Sequence, residues 1–450
     1  MELENLRKLI FAKGKELGFD DMEISYVNRR NFSCKVFKQE IDSYNIAIDG
    51  GLALRGIYDG KMGYAYTEKI DETSIETLLK QAIGNAKVIE DDEEEIIFEG
   101  SPLYEKIDSY SEELEKVSID EKINFLKTVE QACYDYDKRV DNVNYCMYQE
   151  TTVEGGIFNT KGLIKQEKSN SALYYVMVAV KESEDVKSNM ELVIGRDFKK
   201  FDAKETAKKV VDEALVKLGA KSIKSKEYPI LLRNTAAAGL LEAYSTIFSA
   251  TDVQKGKSQL KDKLGEVIAS NKVTIIDDPL MKDGVASRSF DSEGVASKKH
   301  VLVEEGCLKT YLHNLKTAQK DGVATTGHAY KSSYKGTITV APSNFYIAPG
   351  DDSYQKLVEG LKDGIMITGL NGLHSGVNTI SGDFSLEAEG FLVKEGKVKA
   401  PINQITLAGN FYDLLKDIEE IGNDLKFTLP GASYIGSPTL KIKKLSVAGE

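Results

Sequence analysis

The sequence predicts an α+β fold, with two N-terminal helix–strands–helix units followed by a strand-rich C-terminal domain carrying a few flanking helices. Three observations predict it. Amphipathic helical stripes are few, and long tracts of strand-like residues separate them. Asp-Gly and Glu-Gly pairs punctuate those tracts as turns, and the order helix, strands, helix occurs twice before Leu218. Strands in runs between occasional helices indicate α+β, whereas strict alternation would indicate a parallel doubly wound sheet. We divide the 450 residues at two polar stretches into residues 1–95, 96–225 and 226–450.

The first unit opens with a helix on which Leu3, Leu6, Ile10 and Leu17 share a face. Short strands are expected at about 22–27, 32–37, 43–48, 52–58 and 62–66, with turns at Asp49-Gly50-Gly51 and Asp59-Gly60. Thr73 and Glu76 have capping-box spacing and start a helix that turns Ile75, Leu78, Leu79, Ala82, Ile83 and Ala86 inward. The acidic run Glu90–Glu95 reads as a solvated linker.

Ser118 and Glu121 form a second capping box, opening a helix with Ile123, Leu126, Val129, Cys133 and Tyr136 on one stripe. Strands fill 140–193, and a helix over about 203–218 closes the unit with Ala207, Val210, Val211, Ala214 and Leu218 buried. No residue-level repeat underlies the two units, so only their order suggests duplication. The third region reads as a strand at 228–232, a helix at 236–248 and many short strands. Its hairpin turns are Glu305-Gly306 and Glu395-Gly396, and a late helix over about 411–421 carries Leu414, Leu415, Ile418 and Ile421.

Composition excludes several classes of function. Lys and Arg number 59 against 71 Asp and Glu, a net charge of −12, and no basic cluster interleaves with aromatics. Duplex binding needs cations against phosphates, so no nucleic-acid partner is expected. The longest apolar run, Ala172–Val180, falls far short of the ~20 residues of a membrane helix. Met1–Leu17 lacks the pattern of a secretory signal. The expectation is a soluble, cytoplasmic protein without a membrane partner, its four scattered cysteines reduced.

No self-contained catalytic set stands out. A zinc hydrolase commonly places two His on one helix beside a Glu. Here His300, His313, His328 and His374 all lie late in the chain, none on a helical segment beside a Glu. A zinc site assembled among these four from distant loops is the alternative that would make the chain a metallopeptidase in its own right. His374 and Ser375 are adjacent, and no G-x-S-x-G elbow exists. Cys307 has His313 six residues on, yet reads better as a small apolar residue starting a hairpin strand. Neither phosphate-loop nor dinucleotide signatures occur. The glycines between Gly364 and Gly382 suggest loops whose backbone could hydrogen-bond an extended peptide, or else ordinary turns.

The third region carries Phe290-Asp291-Ser292-Glu293-Gly294-Val295, Thr326-Gly327-His328 and Ile380-Ser381-Gly382-Asp383-Phe384-Ser385. It also carries I-N-Q-I-T-L-A-G-N over Ile402–Asn410 and Ile421-Gly422-Asn423-Asp424. In this order the set resembles the TldD/PmbA family, known as modulators of DNA gyrase and as metallopeptidases. The likeness extends over the whole chain. It implies a cytosolic assembly of two related subunits, in which the TldD type carries H-E-x-x-x-H plus a late Cys and the PmbA (TldE) type does not. The helix in that position here, 236–248, has Glu242 and no His, and 430–438 has no Cys. If Glu242 takes the motif's Glu, Leu241 and Thr246 stand where the two His belong.

The resemblance therefore implies a PmbA/TldE-type subunit with no catalytic residue, metal ligand or cofactor of its own. Zinc is expected in a TldD-like partner, in a heterodimer or alternatively a homodimer, acting on extended peptides. Two loops are expected to line the peptide cleft or the dimer contact. They contribute His374, Ser375, Gly376 and Asn378, and Ser381, Gly382, Asp383 and Ser385, with Asp383 and His374 the foremost polar contributors. A non-enzymatic partner of DNA gyrase or its inhibitors is the third possibility.

Overall fold

The computed structural model describes residues 3–69, 71–90 and 95–450, so the interior of the acidic run at 90–95 lies outside the described residues. The first unit comprises helix α1 (Leu3–Glu16), strands β1 (Phe19–Phe37), β2 (Glu40–Tyr58) and β3 (Lys61–Thr67), and α2 (Glu72–Val88). After a short α3 (Glu112–Lys116), the second comprises α4 (Ile119–Tyr136), β4 (Val140–Asn159), β5 (Ile164–Glu182), β6 (Asp185–Gly195) and α5 (Ala203–Leu215). Two helix–strands–helix units are thus present. Their strands form one antiparallel sheet in the order β3-β2-β1-β4-β5-β6, joined where β1 pairs with β4.

The strands are fewer and longer than local turn chemistry predicted. Asp49-Gly50-Gly51 is not a turn: it lies inside β2, paired with Arg29, Asn28 and Val27 of β1. Glycine in a strand also marks a place where another chain segment approaches closely. That is its role here, because a Cβ on Gly51 would lie 2.5 Å from the Tyr334 ring. Such strands, at about 3.3 Å per residue, reach across both helix pairs. Phe19 and Ile24 of β1 enter the core under α1 and α2, while Phe32, Cys34 and Val36 of the same strand enter the core under α4 and α5. Phe158 of β4 returns to the first core.

Helix starts follow the predicted chemistry once and depart from it once. The Ser118 hydroxyl accepts from Glu121 N at 3.2 Å, and the Glu121 carboxylate accepts from Ser118 N at 2.9 Å. For α2 the box is Asp71 with Ser74, not Thr73 with Glu76: the Asp71 carboxylate accepts from Ser74 N at 3.0 Å. Asp at the cap and Ser three residues on satisfy the equivalent pair of amides, two residues earlier.

The C-terminal region continues with β7 (Lys226–Leu232), α6 (Asn234–Tyr244) and α7 (Ala250–Gln254), then β8 (Ile275–Asp277), β9 (His300–Glu304) and β10 (Cys307–Leu308). There follow α8 (Leu315–Asp321), β11 (Ala329–Tyr330), β12 (Thr339–Val340), β13 (Asn344–Ile347) and α9 (Tyr354–Leu361). The chain ends with β14 (Gly364–Asn371), β15 (Asp383–Lys394), β16 (Lys397–Asn410), α10 (Phe411–Lys416), β17 (Ile418–Ile421), β18 (Lys426–Phe427), β19 (Tyr434–Ser437) and β20 (Leu440–Ala448).

One sheet runs β16-β15-β14-β7-β20-β17, and a further pairing of β16 with β20 closes five of these strands into a barrel. Closure removes free edges from those strands. A second sheet, β10-β9-β8-β13-β19-β18, shares the same continuous core. The late helix is shorter than predicted: it stops at Lys416, and Ile418–Ile421 is a strand on β20. Ile418 and Ile421 fit either period, and pairing with β20 decides between them. Among the described residues no helix is long and apolar enough to cross a membrane.

Candidate functional site

The motifs at 380–385 and 421–424 meet at α6, and mostly as structure. Asp424 holds its start: its carboxylate accepts from Thr439 N at 2.9 Å, Thr439 Oγ1 at 2.6 Å and Asn234 Nδ2 at 3.2 Å. Tyr244, near its end, stacks on Phe411 at 4.4 Å between ring centroids and donates its hydroxyl proton to the carbonyl oxygens of Gly382 and Asp383. The helix thereby positions the loop between β14 and β15, which carries six of the eight predicted site residues, and the start of β15, which carries Asp383 and Ser385. Gly239 of α6 also lies against Leu373.

That loop is held by Asn378 from within and by Asn410 and Gln259 from outside. Asn378 Oδ1 accepts from the amides of Ile380 and Ser381 at 3.0 and 3.1 Å. Asn410 Nδ2 donates to Ser381 O and to the Asp383 carboxylate at 2.8 and 2.9 Å, and Gln259 Nε2 donates to Ser381 O at 2.9 Å. His374, Ser375, Asn378, Asp383 and Ser385 are exposed, Gly376 and Ser381 half-buried and Gly382 buried. Hydrogen bonds from Asn410 and Ser381 hold the Asp383 carboxyl below its usual range, so it is an anion at neutral pH.

The expectation of free backbone groups needs correction. The amides of Ser375, Gly376, Asn378, Gly382 and Ser385 already donate to carbonyls within the loop segment. Side chains and outward carbonyls are what remain for a ligand. Gly382 is required by its surroundings, since its φ is +84° and a Cβ would lie 2.4 Å from the Tyr412 ring. Gly382→Ala is expected to lower stability by about 1–3 kcal/mol. Hydrogen exchange should localise the added opening to the amides of residues 378–385; unchanged protection there would refute the role assigned to this glycine.

The metal fit can be tested on α6. Leu241 is 1% exposed, packed in the core, and offers no donor atom. Thr246, in the 3-10 turn after the helix, is exposed and carries a neutral hydroxyl, not among zinc's usual ligands. Glu242 is exposed and accepts from Thr428 Oγ1 at 3.2 Å. These residues do not fit a zinc ion, and among the described residues no three His, Cys, Asp or Glu side chains converge as a ligand set.

The four histidines divide. The His300 and His328 rings lie 5.5 Å apart between centroids and His313 accepts from His328 N through its backbone carbonyl, whereas His374 sits on the exposed loop over α6. His328 is fully buried, with Nε2 at 2.7 Å from Asp277 Oδ2 and Nδ1 at 2.9 Å from Thr326 Oγ1. Both ring nitrogens are thus committed to protein partners. Burial and the neighbouring His328 push the His300 imidazole down to about 4. Cys307 donates to Gly265 O at 3.4 Å, and Cys34, Cys133 and Cys146 are buried free thiols in the second core.

Sequence reasoning missed a buried ionic network where β1 and β2 meet the C-terminal region. Arg55 Nε donates to Glu23 Oε1 at 2.6 Å, and Nη1 lies 3.4 Å from Glu293 Oε1. Glu293 also accepts from Leu315 N at 2.8 Å, and Asp291 accepts from the amides of Glu293, Val295 and Ala329. Burial, only partly offset by Arg55, pushes the Glu293 carboxyl up to about 7. The F-D-S-E-G-V motif was the available signal, but its partners lie far off in sequence.

Comparison with known proteins matches residues 225–449 to the PmbA/TldA metallopeptidase C-terminal domain, 112–218 to its central domain and 22–86 to its domain 1. A solved Thermotoga maritima structure, described as a candidate modulator of a DNA gyrase, is 33% identical with a TM-score of 0.91, covering 99% of this chain and 100% of that one. The structure of TldE from Thermococcus kodakarensis is 24% identical with a TM-score of 0.90 over 99% and 100% of the two chains, a likeness of fold. The metalloprotease PmbA of Escherichia coli O157:H7 is 26% identical over 98% of this chain and 94% of its own.

Proposed function

The chain belongs to the PmbA/TldD metallopeptidase family, and from that premise we propose that it is the non-metal-binding subunit of a TldD/TldE-type peptidase. The observation that carries this reading is the pair of positions on and just after α6. The resemblance asks for imidazole at 241 and 246, and the chain has a core leucine and a threonine hydroxyl there. In this reading a TldD-like partner supplies zinc and the hydrolytic Glu. This subunit contributes the loop over α6 to a cleft for extended peptide, gripping through His374, Ser375 and Asp383, since the loop's amides are largely satisfied internally.

The purified chain is expected to show no chelator-sensitive cleavage of an unfolded reporter protein and to hold substoichiometric zinc by plasma mass spectrometry. Adding a TldD-type homologue carrying H-E-x-x-x-H should yield a complex that cleaves. Zinc-dependent cleavage by this chain alone would overturn the proposal.

A further inference from the structure

A cavity of about 270 Å³ lies between the β1–β4 sheet and the segments 288–292 and 331–334. This is near the lower bound for small-molecule sites, ~300 Å³. Tyr26, Val27, Val153, Ile157 and Phe290 give it an apolar wall, and the strand glycines Gly155 and Gly156 leave the sheet bare of side chains there.

Its charges do not balance. Arg29, Arg288 and Lys331 line it, and among the described residues none has a carboxylate within ion-pair distance. Two acidic residues also line it. Asp291 is committed to three backbone amides, and Glu167 Oε1 accepts from Ser289 N at 3.0 Å. Arg288 is the telling residue. Its Nε and Nη2, the two nitrogens on the edge that grips an oxyanion in parallel, have no acceptor and are packed over, so an oxyanion in the cavity meets them once the side chain turns toward it. Unpaired buried donors are costly, and a guanidinium fork matches carboxylate and phosphate geometry. Burial, with Arg55 nearby, lowers the Lys331 ammonium to about 8. An anion beside it would reverse that shift.

We propose that this cavity binds a small molecule bearing one carboxylate or phosphate group, held by Arg288 and Lys331 with its body against the apolar wall. The site is separate from the loop over α6, and its existence does not depend on the subunit role proposed above.

Calorimetric titration of the full chain with inorganic phosphate, with N-acetyl-leucine and with the neutral amide of N-acetyl-leucine tests it. One or both anions should bind in the millimolar range or tighter, and the amide should bind at least about ten-fold more weakly than the acid. Phosphate binding alone identifies a phosphate ligand; preference for the acid identifies a carboxylate. Arg288→Gln should weaken binding by about ten-fold or more, and Arg288→Lys, which keeps charge but loses the fork, by less.

Should the variants misfold, the unsubstituted chain suffices. Acylation of Lys331 at pH 8, mapped by mass spectrometry, should slow when the anion is present, while surface lysines react unchanged. Absence of binding by either anion at about 10 mM, binding indifferent to Arg288→Gln in a folded variant, or no protection of Lys331 would overturn the proposal.

Discussion

Replacing Arg55 by methionine is expected to lower the free energy of unfolding by about 3–5 kcal/mol, measured by urea denaturation at neutral pH. Arg55, Glu23 and Glu293 are each about 3% exposed, so with the guanidinium removed each carboxyl must stay charged without water or take up a proton, and either costs stability. Arg55 is bonded to Glu23 at 2.6 Å and lies 3.4 Å from Glu293, and its own charge is strongly favoured by both. The loss should be cancelled in large part by the triple substitution Glu23→Gln, Arg55→Met and Glu293→Gln, because the cost lies in stranded charge and not in lost volume. A single substitution costing under about 1 kcal/mol would show that water reaches the network.

Glu293→Gln is expected to change the pH dependence of stability more than its magnitude at any one pH. Burial raises this carboxyl from its ordinary 4.5 to about 7. The folded state therefore holds the proton more tightly than the unfolded chain. The group's contribution is fully present below pH 4.5 and is lost as pH rises through about 7. The difference amounts to on the order of 3 kcal/mol. Glutamine keeps an oxygen for Leu315 N and cannot ionise, so the variant should gain on the parent as pH rises from 5 to 7.5. His300, depressed to about 4, acts in the opposite sense over the lower part of this range in both proteins, and comparing variant with parent removes it. Parallel stability curves for the two proteins would contradict the raised carboxyl.

Helices were legible wherever cap and stripe agree within a few residues. Ser118 with Glu121 fixed the start of α4, and Leu126, Val129 and Cys133 its buried stripe, from sequence alone. Strand lengths were not, because Asp-Gly-Gly carries the same local signal in a turn and in a strand that another segment overlies. Only the ladder to β1 and the Tyr334 ring above Gly51 distinguish them. The loop over α6 was legible as a glycine-rich segment. Its anchors were not: Tyr244, Gln259 and Asn410 reach it from three other parts of the chain. The ionic network escaped notice because Arg55 meets partners 32 and 238 residues away.

The sequence by itself determined the α+β class, the two helix–strands–helix units, the membership of the family and the lack of imidazole at 241 and 246. These are properties of residue type and local spacing, which each residue carries wherever the chain places it. Tertiary structure alone decided that two long strands serve both N-terminal cores, that burial raises the Glu293 carboxyl, and that Arg288 and Lys331 line one cavity with no carboxylate in ion-pair range among the described residues. Desolvation depends on what surrounds a group, and those neighbours arrive from remote parts of the chain only when it folds.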